Sequence, residues 1–184
     1  MFKSIRRTII ATVTALTLGL GGAVWATSAA SAAPAAIPAC STANLGVWLN
    51  LSQGSVAAGT TAFPLDFTNT GSRACTLFGY PGVSATNASG VQLGRAAARN
   101  PVYKAKTVTI PVGGTAHAYL FWVEVLNFSP SACKLGTASL LKVYPPSRKS
   151  AADTFFSLQV CKSTKPLFQY LYVSTVQPGV GHML

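Results

Sequence analysis

The chain of 184 residues is basic and sparing with charge: 14 Lys and Arg stand against 3 Asp and Glu, for a formal net charge of +11 at pH 7. So few acids leave little material for carboxylate-based catalysis, and the length suits one domain able to bury a full core. The basic excess favours anionic partners, such as wall polymers, acidic glycans, phospholipid head groups or nucleic acid, or else a self-repelling soluble surface with no ligand.

Lys3, Arg6 and Arg7 precede an apolar run over residues 8–25, and the small-residue stretch 26–36 holds several Ala-x-Ala sites. That order of parts predicts a secretory signal peptide over residues 1–32, cleaved after Ala32. At about 18 residues the run approaches the lower limit for a spanning helix. Three threonines (Thr12, Thr14, Thr17) and Gly19, Gly21 and Gly22 interrupt it, which favours cleavage. Residues 33–39 read as a flexible Ala/Pro leader, and residues 40–184 as a single domain. Without Lys3, Arg6 and Arg7 the balance is 11 bases to 3 acids, or +8. No later stretch is long and apolar enough to span a membrane, so the mature form is expected to be secreted or extracellular, with cell-wall association an option.

From Cys40 onward, short alternating runs are separated by Gly, Pro, Asn and Ser, the texture of an all-β domain. Over residues 45–51, Leu45, Val47, Leu49 and Leu51 share one face and Trp48 takes the other. Over residues 63–67, Phe63, Leu65 and Phe67 are inward and Asp66 outward, with Pro64 predicting an edge strand or a bulge. Short strands are expected at residues 75–78 and 91–93, and residues 95–106 read as a basic loop. Residues 115–125 form the strongest strand, apolar on both faces and therefore central, with His117, Tyr119 and Phe121 on one side. Further strands are predicted at residues 139–144, 154–161 and 170–176. Eight to ten such strands suggest a sandwich.

Four cysteines in an exported chain read as disulfides and allow three pairings. Cys40–Cys75 with Cys133–Cys161 is favoured because each bridge then closes a modest loop within one half. Such loops are worth about 3.5–4 kcal/mol each in the chain-entropy model. No Cys-x-x-Cys spacing exists, and His117 and His182 fall in unrelated segments, so no metal or other cofactor is expected.

The strings Phe67-Thr68-Asn69-Thr70-Gly71, Ala74-Cys75-Thr76-Leu77-Phe78-Gly79-Tyr80-Pro81-Gly82-Val83 and Pro111-Val112-Gly113-Gly114-Thr115-Ala116, with Cys133 and Cys161, resemble the secreted actinobacterial proteins grouped as domain of unknown function 4232. The likeness runs from Cys40 to about Pro178. It implies an immunoglobulin-like antiparallel β-sandwich with two disulfides, exported to the envelope or medium. It carries over no activity and no catalytic residue.

Each acid has an unremarkable role: Asp66 on a strand, Glu124 at the end of the central strand, Asp153 at a turn. A glycosidase would need two of them paired, as Asp66 with Glu124. His117 reads as a core or semi-buried histidine, and Ser89 lacks the Gly-x-Ser-x-Gly elbow. His182-Met183 offers ligands for copper, yet two residues on a frayed end make a poor site. Binding is the stronger class. Trp48, Tyr170 and Tyr172 lie opposite aliphatic faces and could stack on sugars or a protein, while Arg95, Arg99, Lys104 and Lys106 suit a polyanion. The expected partner is an anionic cell-envelope polymer, a glycan or an extracellular protein. No specific nucleic acid is expected, since no fold motif for one is present. The expectation is therefore a non-enzymatic envelope-associated or extracellular binding module, with a secreted hydrolase of a glycan or wall polymer as the alternative.

Overall fold

The computed structural model describes residues 35–183. The predicted signal peptide and its cleavage point lie outside the described residues. Twelve strands follow in order: β1 (Leu45–Leu49), β2 (Ser55–Ala57), β3 (Thr60–Asn69), β4 (Cys75–Phe78), β5 (Gly82–Thr86), β6 (Ala98–Arg99), β7 (Thr107–Ile110), β8 (Thr115–Val123), β9 (Leu135–Tyr144), β10 (Ala152–Cys161), β11 (Leu171–Val173) and β12 (Gln177–Pro178). The α-helix among the described residues is a single turn, Pro130–Cys133. No helix among them is long and apolar enough to cross a membrane.

The large sheet has the order β1-β3-β8-β11-β6, with β2 added to β3 and β12 to β8. A second sheet runs β10-β9-β5, and β4 pairs with β7. Pairing is antiparallel except where β11 meets β6. This is an all-β sandwich. Leu65, Phe67, Ala116, Ala118, Leu120, Leu171 and Val173 from the large sheet are buried in one core cluster with Val83, Ala85, Leu141, Val143, Leu158 and Val160. The inward set over residues 63–67 is thus as the alternation predicts. Phe63 packs edge-on to Phe156, and the Trp122 indole N–H donates to the Gln159 carbonyl at 3.0 Å, which ties β3 and β8 to β10.

Two disulfides join Cys40 to Cys75 and Cys133 to Cys161, the favoured pairing. The first fastens the chain's entry to β4, and the second fastens the helical turn to the end of β10. Two of the strings behind the family resemblance meet at one buried residue. The Asn69 side-chain amide donates to the carbonyls of Arg73 and Ile110, and its carbonyl accepts from the Gly71 N–H. The Gly113 N–H adds a bond to the Asn69 main-chain carbonyl. The amide thereby links the turn at Arg73 to the end of β7 at Ile110.

Several local expectations are corrected. Pro64 lies in β3, which is paired on both sides by β1 and β8. Its carbonyl accepts from the Asn50 N–H, just past the end of β1. A residue's N–H and C=O point to the same side of an antiparallel strand, so the missing donor faces Asn50, just past the end of β1, and costs only that one reciprocal bond. Residues 91–93 form only an isolated bridge, Thr86 with Gln92. The basic loop carries β6. The leader, expected to be free through Ala39, is pinned from Pro38, whose carbonyl accepts from the Thr76 N–H.

Candidate binding surface

The outer face of the large sheet, turned away from the core, carries Asp66 and Pro64 on β3, His117, Tyr119, Phe121 and Val123 on β8, and Tyr172 on β11, because directly paired residues point the same way. Along β8 the rings of His117, Tyr119 and Phe121 follow one another, with centroids 5.1 and 6.3 Å apart. The chain's own C-terminal segment covers one half of this face. β12 pairs with Ala116 and His117. Beyond it the Gly181 N–H donates to Asp66 Oδ1 at 2.9 Å, His117 Nδ1 donates to the Gly179 carbonyl at 2.9 Å, and the Tyr119 hydroxyl donates to the His182 carbonyl at 2.8 Å.

This strap overturns two expectations. Asp66 faces outward as predicted, yet it is 0% exposed, and its Oδ2 has no hydrogen-bond partner. Burial pushes its carboxyl above the ordinary carboxylate range, against the pull of the Gly181 N–H, His117, the Asn50 amide and His182. His182 and Met183 are not frayed: the one accepts from Tyr119, and the other donates its N–H to Gln53 Oε1. The sequence signal was present in Pro178-Gly179-Val180-Gly181. A Cβ on Gly181 would lie 2.2 Å from Pro64 Cβ, so only glycine lets the strap approach this closely.

The other half of the face is open. Ser55, Ala62, Phe121, Tyr172 and Ala98 form one row across five strands. A hollow of about 330 Å³ is lined by Thr60, Arg99, Asn100, Phe121, Val123 and Tyr172, among others. A neighbouring hollow of about 220 Å³, over β2, shares Thr60 and Phe121 with it. A further hollow of about 320 Å³ lies at the opposite end of β3 beside Cys75, lined by polar turn residues with no aromatic ring.

The predicted contact residues separate. Tyr172 lines the open hollow and Trp48, opposite Asp66 on β1, is 41% exposed. Tyr170 is not on any contact face: it is 0% exposed, and its hydroxyl donates to the Leu93 carbonyl at 2.8 Å. β11 starts only at Leu171, so strand alternation does not extend back to Tyr170, and burial pushes its phenol well above the ordinary value. Phe121 and Thr60, not singled out from sequence, complete the hollow. The expectation that the central strand is covered on both sides holds for the strapped half of β8 only.

One of the four bases is held apart from the other three. Arg95 is tied down, donating to Gln169 Oε1 at 2.8 Å and to the Thr164 carbonyl at 3.1 Å. Arg99 is exposed at the sheet edge, its guanidinium 5.3 Å from the Tyr80 ring centroid, and it is the member that reaches the hollow. Lys104 and Lys106 are exposed further along the segment. Glu124 accepts from the Leu126 N–H and caps the turn after β8. Asp66 is level with His117, while Glu124 follows Val123 at the far end of β8. At about 3.3 Å per residue the two carboxylates are on the order of 20 Å apart.

Fold and site together define a disulfide-bonded all-β sandwich with one sheet face half sealed by its own C-terminus and half open. The chain belongs to the family described as Domain of unknown function (DUF4232), whose pattern matches residues 40–177. No curated protein and no solved structure matches the chain.

Proposed function

We propose that the chain is exported and that its mature domain is a non-enzymatic binding module of the envelope or extracellular space, contacting its ligand through the open half of the outer sheet face. The observation that carries this reading is the hollow at which Arg99, Phe121 and Tyr172 converge. A guanidinium beside two aromatic rings suits an anionic polymer with apolar ring faces. The separation of Asp66 from Glu124 supports the non-enzymatic reading, since glycoside hydrolysis needs two carboxyls within roughly 5–10 Å. Two disulfides suit an oxidising compartment.

Co-sedimentation with the producer's isolated envelope tests it. The purified protein is expected to sediment at low salt and to be partly released at 1 M salt, where the screening length falls from about 8 Å to about 3 Å. Arg99→Glu with Tyr172→Ala should lower the bound fraction about tenfold while the thermal midpoint stays unchanged, whereas Trp48→Ala should bind normally. Failure to sediment at low salt would rule the reading out.

A further inference from the structure

A third hollow, of about 380 Å³, lies on the other side of Arg99 and is lined by Phe78, Gly79, Tyr80, Ala105 and Ser147. Arg99 belongs to this hollow and to the one over Phe121 and Tyr172, which in turn shares Thr60 and Phe121 with the hollow over β2. Three depressions therefore adjoin one another in series, from β2, past β8 and β11, to the loop beyond β6. Each contains or adjoins an aromatic ring. Arg99 stands at the junction of the second and third, and no acid lines any of them.

We infer that this series of hollows is a groove for a linear glycan carrying uronic acids, with a ring carboxylate held by Arg99 and the flanking sugars stacked on Tyr172 and Phe121 to one side and on the exposed Phe78 ring to the other. The inference deepens the binding reading above and rests on it. Three features select the ligand class. The separate hollows require a chain of several units rather than a single sugar, since each is about the size of one or two sugar rings. The planar fork of Arg99 matches a carboxylate bidentately. The aromatics on both sides of it require a ring in every repeat, which a polyol-phosphate polymer lacks and a polyuronate has. Stacking of Arg99 on Tyr80 pre-orders the guanidinium, which lowers the entropy lost on binding.

Isothermal titration of the purified mature protein with hyaluronan oligosaccharides and galacturonate oligomers of defined length tests the inference. Affinity is expected to rise at least tenfold from the disaccharide to the hexasaccharide and then level off. Reduction of the carboxyls to alcohols should cost about tenfold. Arg99→Gln should cost about the same on the acidic hexasaccharide and nothing on the reduced one, and Phe78→Ala should weaken the hexasaccharide but not the disaccharide. Length-independent binding, indifference to carboxyl reduction, or equal binding of poly(glycerol phosphate) would overturn the groove assignment. So would no binding of either uronate series. If the envelope still retained the protein in that last case, the binding reading would stand and only the uronate groove would fall.

Discussion

At the scale of single residues, Asp66 shows how a strand position can be read correctly in direction and wrongly in environment. It points away from the core, yet the strap removes it from water with one oxygen unpartnered. Its proton affinity is therefore higher in the folded than in the unfolded chain. The folded state binds more protons across the interval above the ordinary carboxylate value, so Asp66 adds stability as pH falls through its raised pKa and withdraws it as pH rises. The difference in unfolding free energy between wild type and Asp66→Asn, measured in urea from pH 7 to pH 4, should move in favour of wild type as pH falls. At neutral pH the asparagine variant should be at least as stable, because its carbonyl can keep the Gly181 N–H bond while no charge is buried. A difference that moves the other way would contradict the raised affinity. The direction in which Asp66 points was legible from alternation, and so was the burial of His117. What covers Asp66 was not, since a cover from a distant segment of the same chain leaves no mark on the residues it hides.

At the scale of elements, the C-terminal strap is held chiefly through backbone groups of its own: the Gly179 and Gly181 N–H groups and the carbonyls of Gly179 and His182. Its close approach depends on Gly181, where a Cβ would also lie 3.2 Å from His117 Cγ. Gly181→Ala must lift the strap or displace Pro64 within a strand paired on both sides. The expected cost is about 1–3 kcal/mol, with faster amide exchange at Gly181 and Met183 and unchanged exchange in β9 and β10. A variant with wild-type protection at Gly181 would show that the contact is easily relieved. A comparable restriction holds at Gly94, whose φ is +71° and where a Cβ would fall 1.9 Å from the Cys161 carbonyl oxygen. β10 itself carries an irregularity between Phe155 and Leu158, and Phe155 is 88% exposed. A bulge breaks the alternation that a sequence pattern assumes.

At the scale of the whole molecule, the two disulfides span separations of 35 and 28 residues. Each loop corresponds to about 3.5–4 kcal/mol in the chain-entropy model, against a total stability of roughly 5–15 kcal/mol for a domain. Alkylation of the denatured, unreduced protein should label no cysteine in this pairing, and reduction should lower the urea midpoint sharply. A labelled cysteine, or a midpoint indifferent to reductant, would contradict that expectation. The same scale explains why Arg95 is withdrawn from the basic segment its spacing suggested. Arg95 is drawn into bonds with Gln169 and Thr164, segments far along the chain, which leaves Arg99 to face the hollow.

The sequence by itself determined what depends on near neighbours: most strands from their alternation, the turns from Asn, Pro and Gly, and a preferred cysteine pairing from loop length. The tertiary structure alone decided which outward-facing side chains meet water. Asp66 and Gly181 lie 115 positions apart, and Tyr170 and Leu93 lie 77 apart. The orientation of a side chain follows from the geometry of its own strand. Its exposure depends on which distant segment finds enough hydrogen bonds and contact area to settle over it, and only the assembled fold settles that.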